Sequence, residues 1–260
     1  MSSAYVSKEE KKIQIDDPSG KWSDVTLLPE WGEEFYDVYT ARKHGKWVML
    51  KALKPQYASQ ERFREMISRE FETRYSLAHP NIVMVNDFEE VPGIGMAIIT
   101  DDVYGYSLRR LIDEKRLTPR IIHRLETQLP DAMAYIQENH VIHHPITPDS
   151  IIFTEYTENL KLINVGYDQR ESLTPLDTME DLFAYGTIIN EVLDHTPTRI
   201  PRLRRIAQRC TATDPIRRFR SFDDLRLSMQ RGSSTLLIVV VISVIVLLGV
   251  LVCWLVANSI

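Results

Sequence analysis

The side chains of this chain most able to do chemistry crowd into one short stretch, Val141 to Phe153, which reads VIHHPITPDSIIF. A histidine, His143, follows two apolar residues, and Asp149 is the carboxylate nearby that could accept a proton. Yet the middle of the stretch is Pro145, which has no side chain that can take a proton, and Thr147 and Ser150 carry only hydroxyls. The landmarks of a reactive loop are present, but the groups that would react are few. The two cysteines, Cys210 and Cys253, cannot make a disulfide framework, and a reducing compartment fits them.

The surrounding elements can be read from residue spacing. Residues 1–20 are polar and charged and are expected to form a loose tail. From Lys21 to about Leu53 the pattern is strand-like, with Gly45 marking a turn before the apolar run WVMLKAL. Ser59 to Ser76 has helical spacing, with Phe63, Ile67, Phe71 and Tyr75 near one face. Asn81 to Phe88 and Gly95 to Thr100 read as two further strands. The remainder is mainly helical. Ser107 opens a short helix as its cap. Thr118 to Asn139 is a long helix whose stripe is Ile122, Leu125, Leu129, Met133 and Ile136, and Pro130 should kink or break it. Further helices are expected at Asp181–Leu193, Arg202–Cys210 and Ser221–Arg231. A small sheet with one inserted helix thus precedes a helical half, and residues 101–105 look like a hinge between them.

Composition sets the class. The 260 residues are 44% hydrophobic and 26% charged, with a net charge of −5, which fits a folded protein with a sizeable core. One segment departs from that average. Thr235 to Ala257, TLLIVVVISVIVLLGVLVCWLVA, carries no charge. As a helix it would run roughly 35 Å, long enough to cross a bilayer. The N-terminus has no apolar stretch, so no signal peptide is expected. Arg226 and Arg231 precede the apolar run and no basic residue follows it, which places the preceding domain in the cytosol. Residues 199–231 hold ten arginines against three aspartates. A segment so basic beside the apolar run could rest on anionic lipid headgroups. No nucleic-acid partner is expected.

Several short motifs in order resemble a protein kinase domain, from about Leu28 to Met229. VMLK ends in Lys51, in the place of the phosphate-pairing lysine. REFE supplies Glu70, in the place of that lysine's glutamate. IITDDVYGYSL places Thr100 as gatekeeper and Val103 in the hinge. VIHHPITPDSIIF resembles the catalytic loop, LKLINVG the metal-binding turn, and EDLFAYG the helix whose Asp181 braces the loop. DPIRRF carries the structural Arg218. The resemblance implies an α+β fold of two lobes. A small β-rich N-lobe with one helix would cover about 21–100, a hinge 101–105, and a larger helical C-lobe 106–231. One transmembrane helix would follow at 235–257.

Site by site, the resemblance implies loss of catalysis. Pro145 stands for the base aspartate, Thr147 for the auxiliary lysine, Ser150 for the metal-binding asparagine and Asn164 for the metal-binding aspartate. Loss of a positioned base commonly costs about 10²–10⁴ in rate. Asp149 is expected to point away, and His143 to pack rather than react. In LPEWGEEFYDVY the expected glycines fall on Trp31, Glu33 and Tyr36, and Met49 fills the adenine roof. Only 14 residues separate Gly166 from Asp181, too few for a substrate platform. Arg218 would then lack its usual glutamate partner. No catalytic residue, metal or cofactor is expected. ATP is the one ligand left open, through Lys51, Glu70, Thr100 and Val103. The expected function is a membrane-anchored pseudokinase that binds a protein partner whose identity is unknown. The alternative is a weak ATP-binding serine/threonine kinase.

Overall fold

A computed structural model describes residues 11–163, 165–229 and 242–247. Its first half is a six-stranded sheet in the order β1-β2-β3-β4-β6-β5. The strands are β1 (Lys11–Lys12), β2 (Trp22–Leu27), β3 (Tyr36–Lys43), β4 (Lys46–Leu53), β5 (Val85–Val91) and β6 (Gly95–Asp101). The helices α1 (Pro55–Ala58) and α2 (Glu61–Tyr75) are inserted between β4 and β5. All the pairings are antiparallel, so hairpins build the sheet and β4 lies near its centre. One apolar cluster, with Trp22, Ala41, Leu50 and Ile99, packs beneath it. A second, with Phe63, Ile67, Val85 and Ile98, joins the sheet to α2.

The second half begins with β7 (Gly105–Ser107), α3 (Leu108–Asp113) and α4 (Pro119–Glu138). The short strands β8 (Val141–Ile142), β9 (Ile151–Thr154), β10 (Leu160–Leu162) and β11 (Asp168–Gln169) follow. Then come α5 (Pro175–Asp194), α6 (Pro201–Cys210) and a last helical stretch at 222–229. Its core is one large cluster built around Leu125, Leu129, Tyr185 and Phe222. The two-lobed arrangement is as expected, and residues 102–104 link β6 to β7.

Several details differ from expectation. Residues 11–20, expected to belong to a loose tail, are part of the first lobe. Lys11 and Lys12 pair with β2, and Ile13 and Ile15 pack on the sheet's core. The strand expected from Asn81 is β5, which starts at Val85. Helix α4 runs on through Pro130. The proline removes one amide donor, but nine buried side chains along α4 hold both halves on the core. Helix α5 starts six residues before Asp181. Thr174 and Asp177 form a reciprocal cap there, with Pro175 in the first turn.

On α2 the inward face is not the expected aromatic stripe. Steps of four residues drift around a helix, so Tyr75 sits about 120° from Phe63 and is exposed. Glu70 and Arg74 take the inward positions beside Phe63 and Ile67. The apolar segment at 235–257 lies outside the described residues except for 242–247, which are helical. Among the described residues no helix is long and apolar enough to cross a membrane.

Candidate functional site

The cleft between the lobes is lined by Trp31, Val38, Met49, Lys51, Thr100 and Val103, among others. Antiparallel pairing of β4 with β6 sets Met49 opposite Thr100 and Lys51 opposite Ile98, which brings the expected lysine and gatekeeper together. The cavity is narrow, about 50 Å³, whereas small-molecule sites typically span roughly 300–1,000 Å³.

Lys51 is buried, and its ammonium is fully engaged. Nζ donates to Glu70 Oε1 at 2.9 Å, and to both carboxylate oxygens of Glu33 at 2.9 Å. An ammonium has three protons to donate, and three acceptors are in place. The Tyr36 ring lies 4.2 Å from Nζ, which adds a cation–π contact. Glu70 also accepts from Arg74 Nη1 at 3.0 Å. Burial alone would raise the Glu70 pKa, but the charges and hydrogen bonds of Lys51 and Arg74 outweigh it and hold the carboxyl below its ordinary range. The Tyr36 hydroxyl is pushed strongly upward by burial and by the nearby Glu70 and Glu33 carboxylates.

A turn presents Glu33 to the lysine. Residues Pro29–Trp31 form a 3-10 turn where a glycine-rich hairpin was the pattern to compare. Gly32 follows, the Glu33 amide donates to Tyr36 O at 2.9 Å, and Lys54 Nζ donates to Glu33 O at 2.7 Å. The sequence showed Glu33 at a glycine position. It did not show that Glu33 and Arg74 converge on the Lys51–Glu70 pair.

Behind the cleft, the loop from β8 to β9 is tied down by its own backbone. His143 donates from Nδ1 to the His144 carbonyl at 2.7 Å, and its Nε2 lies 3.2 Å from Asp181 Oδ1. Burial disfavours the imidazolium, yet the Asp181 carboxylate and the carbonyl outweigh that and raise the His143 pKa. The histidine is therefore a brace between the loop and α5. Pro145 is exposed. The Ser150 hydroxyl is turned onto its own loop, donating to Thr147 O at 2.9 Å and accepting from the Thr147 amide at 3.1 Å. Asp149 is exposed. None of these loop residues lines the cavity.

Asn164 lies outside the described residues. Beside it, Gly166 has φ +85°, and a Cβ there would come within 3.0 Å of Val141, so the turn needs glycine. Asp168 sits in β11, paired to Ile142. Among the described residues no group of three His, Cys, Asp or Glu side chains could hold a metal ion. After Gly166 only residues 167–174 precede α5. Arg218 donates from Nε to Ala212 O at 2.7 Å and lies over the Phe183 ring.

Two lobes, a hinge and a strand lysine paired to a helix glutamate define a kinase-type domain, and comparison with known proteins agrees. The protein kinase domain model matches residues 34–178, and the chain belongs to that family. It is 32% identical over 146 residues to the serine/threonine-protein kinase PknD of Mycobacterium tuberculosis, a match covering 54% of this chain and 21% of that protein. It is 30% identical over 120 residues to PrkC of Bacillus subtilis, covering 46% of this chain and 18% of that one. The chain thus spans about a fifth of the length of these relatives. Among solved structures, the PknI kinase domain of M. tuberculosis superposes with a TM-score of 0.56 at 21% identity, covering 81% of this chain and 96% of that one. At that identity the likeness speaks for the fold.

Proposed function

We propose that this protein is a membrane-anchored pseudokinase, a signalling or scaffolding module that works by binding a protein partner rather than by phosphoryl transfer. The observation that carries the reading is Pro145, which stands where the motif requires a proton-accepting aspartate. The Ser150 hydroxyl, bonded to its own loop, agrees with it. So does the brevity of residues 167–174, which leaves little room for a peptide platform. The residues present do not fit a magnesium nucleotide. The lysine's donors are taken and the cavity is small.

The apolar segment 235–257 supports the anchor, and the arginines of 199–231 support a cytosolic domain resting near anionic headgroups. The last helical stretch precedes that segment in sequence, and Arg202 Nη1 donates to the carbonyl of Met229 at the end of the stretch. A second reading, a weak ATP-dependent serine/threonine kinase, is favoured by the intact Lys51–Glu70 pair and by the named activity of the relatives. The full chain, incubated in detergent with magnesium and γ-labelled ATP, separates the two. The first reading expects no label on the protein or on generic acceptors. Transfer that is abolished by Lys51→Met would establish the second.

A further inference from the structure

Lys51 is fully bonded in a buried charged site, and its ion pairs are more than a strand–helix strut. Two of its three hydrogen bonds go to a residue that a strut does not require. Glu33 comes from the turn over the cleft, not from α2, and meets the ammonium with both oxygens at 2.9 Å. Its side chain is 31% exposed, whereas that of Lys51 is 9% exposed. The lysine is thus fixed in the wall, and Glu33 approaches it from the open side. Its backbone is pinned on both flanks, by its own amide to Tyr36 O and by Lys54 to its carbonyl. Lys54 also donates to Glu34 O at 3.1 Å. Trp31, on the same turn, lines the cavity. The four charges at the centre, Lys51 and Arg74 against Glu33 and Glu70, balance.

We propose that Glu33 is the resident anion of a latent polyphosphate site, and that it is the residue which determines exclusion of phosphate ligands from this cleft. This inference deepens the reading of the cleft given above and rests on it. The chemistry is direct. A carboxylate offers two oxygens to an ammonium, much as a phosphoryl group does. Without Glu33 the cluster carries a net positive charge, with two Lys51 protons facing the open side. With Glu33 in place, an incoming polyanion meets a neutral cluster and a carboxylate that must first move. A tethered group competes at an effective concentration on the order of millimolar. Its removal therefore strengthens binding of a free polyphosphate by about tenfold or more.

The ligand class is a chain of phosphates, whether free or carried on a nucleoside. The test uses the full chain in detergent, with chelator present and no divalent ion. Thermal unfolding is followed with tripolyphosphate, ATP or adenosine at millimolar concentration. Wild type is expected to show no shift with any of them. Glu33→Gln, which keeps the shape and removes the charge, is expected to be stabilised by tripolyphosphate and ATP but not by adenosine, and the gain is expected to vanish in Glu33→Gln/Lys51→Met. A gain with ATP alone would assign the site to nucleotides, still with Glu33 as the excluding group. Glu33→Ala, at a partly exposed position, provides the same readout should the glutamine variant fold poorly. The inference is overturned if the folded variants bind no phosphate ligand, or if wild type binds as well as they do. Phosphoryl transfer by wild type would overturn the pseudokinase reading, but would leave the variant-against-wild-type comparison to decide the role of Glu33.

Discussion

Replacing Glu70 by alanine removes the acceptor shared by two buried cations. Lys51 and Arg74 both donate to Glu70 Oε1, at 2.9 and 3.0 Å, and all three side chains are less than a tenth exposed. Breaking a buried ion pair from one side costs about 3–5 kcal/mol, because the surviving charge stays buried without its partner. Lys51 keeps Glu33, so the loss falls mainly on Arg74, and about 3 kcal/mol is the expected value. For a domain of this size that lowers Tm by about 6–12 °C. Differential scanning calorimetry or a urea titration of the full chain in detergent reads it. The double variant Glu70→Leu/Arg74→Leu swaps the pair for apolar side chains and should recover most of the loss. Acid should imitate the single variant. The folded pKa of Glu70 lies below its ordinary value of 4.5. Its contribution is therefore present above pH 4.5 and lost as pH falls through the lower folded value. A Glu70→Ala variant less than about 1 kcal/mol below wild type would refute the claim that this cluster joins α2 to the sheet.

The His143–Asp181 brace has the opposite pH signature. The His143 pKa is raised above 6.5 in the folded chain. Its stabilisation is complete below pH 6.5 and disappears as pH rises through the folded value, so His143→Phe should flatten the Tm-against-pH curve over that window. At Gly186 a Cβ would fall 2.5 Å from the Cβ of Cys210 and 2.9 Å from Ala207 O, where α5 crosses α6. Gly186→Ala should cost about 1–3 kcal/mol by overpacking, read by the same urea titration.

Much of the fold was legible because it is written in local patterns. The stripe Ile122–Leu125–Leu129–Met133–Ile136 marks α4, and all five side chains are buried. The run WVMLKAL marks β4, Ser107 caps α3 as expected, and Thr118 caps α4. The early start of α5 was written too, in the capping pattern Thr174-Pro-x-Asp177, which lies before the kinase-like motif at Asp181. Pro130 misled because a local propensity for breaking was set against the burial of the whole stripe, and burial prevailed. The site was legible by type rather than by partner. Lys51 and Glu70 are 19 positions apart and Glu33 a further 18 upstream. Their meeting depends on how the turn before β3 folds over β4, and no periodicity in the chain encodes that. Arg74 joins them because Glu70 lies one helical turn before it.

The central claim is that this kinase-type domain has kept its framework and lost the group that takes a proton. The most direct measurement is phosphate transfer from γ-labelled ATP with magnesium, comparing the full chain with its Lys51→Met variant under identical conditions. The account predicts equal, background-level incorporation in both. Incorporation by wild type that grows with time and disappears in the variant would contradict it.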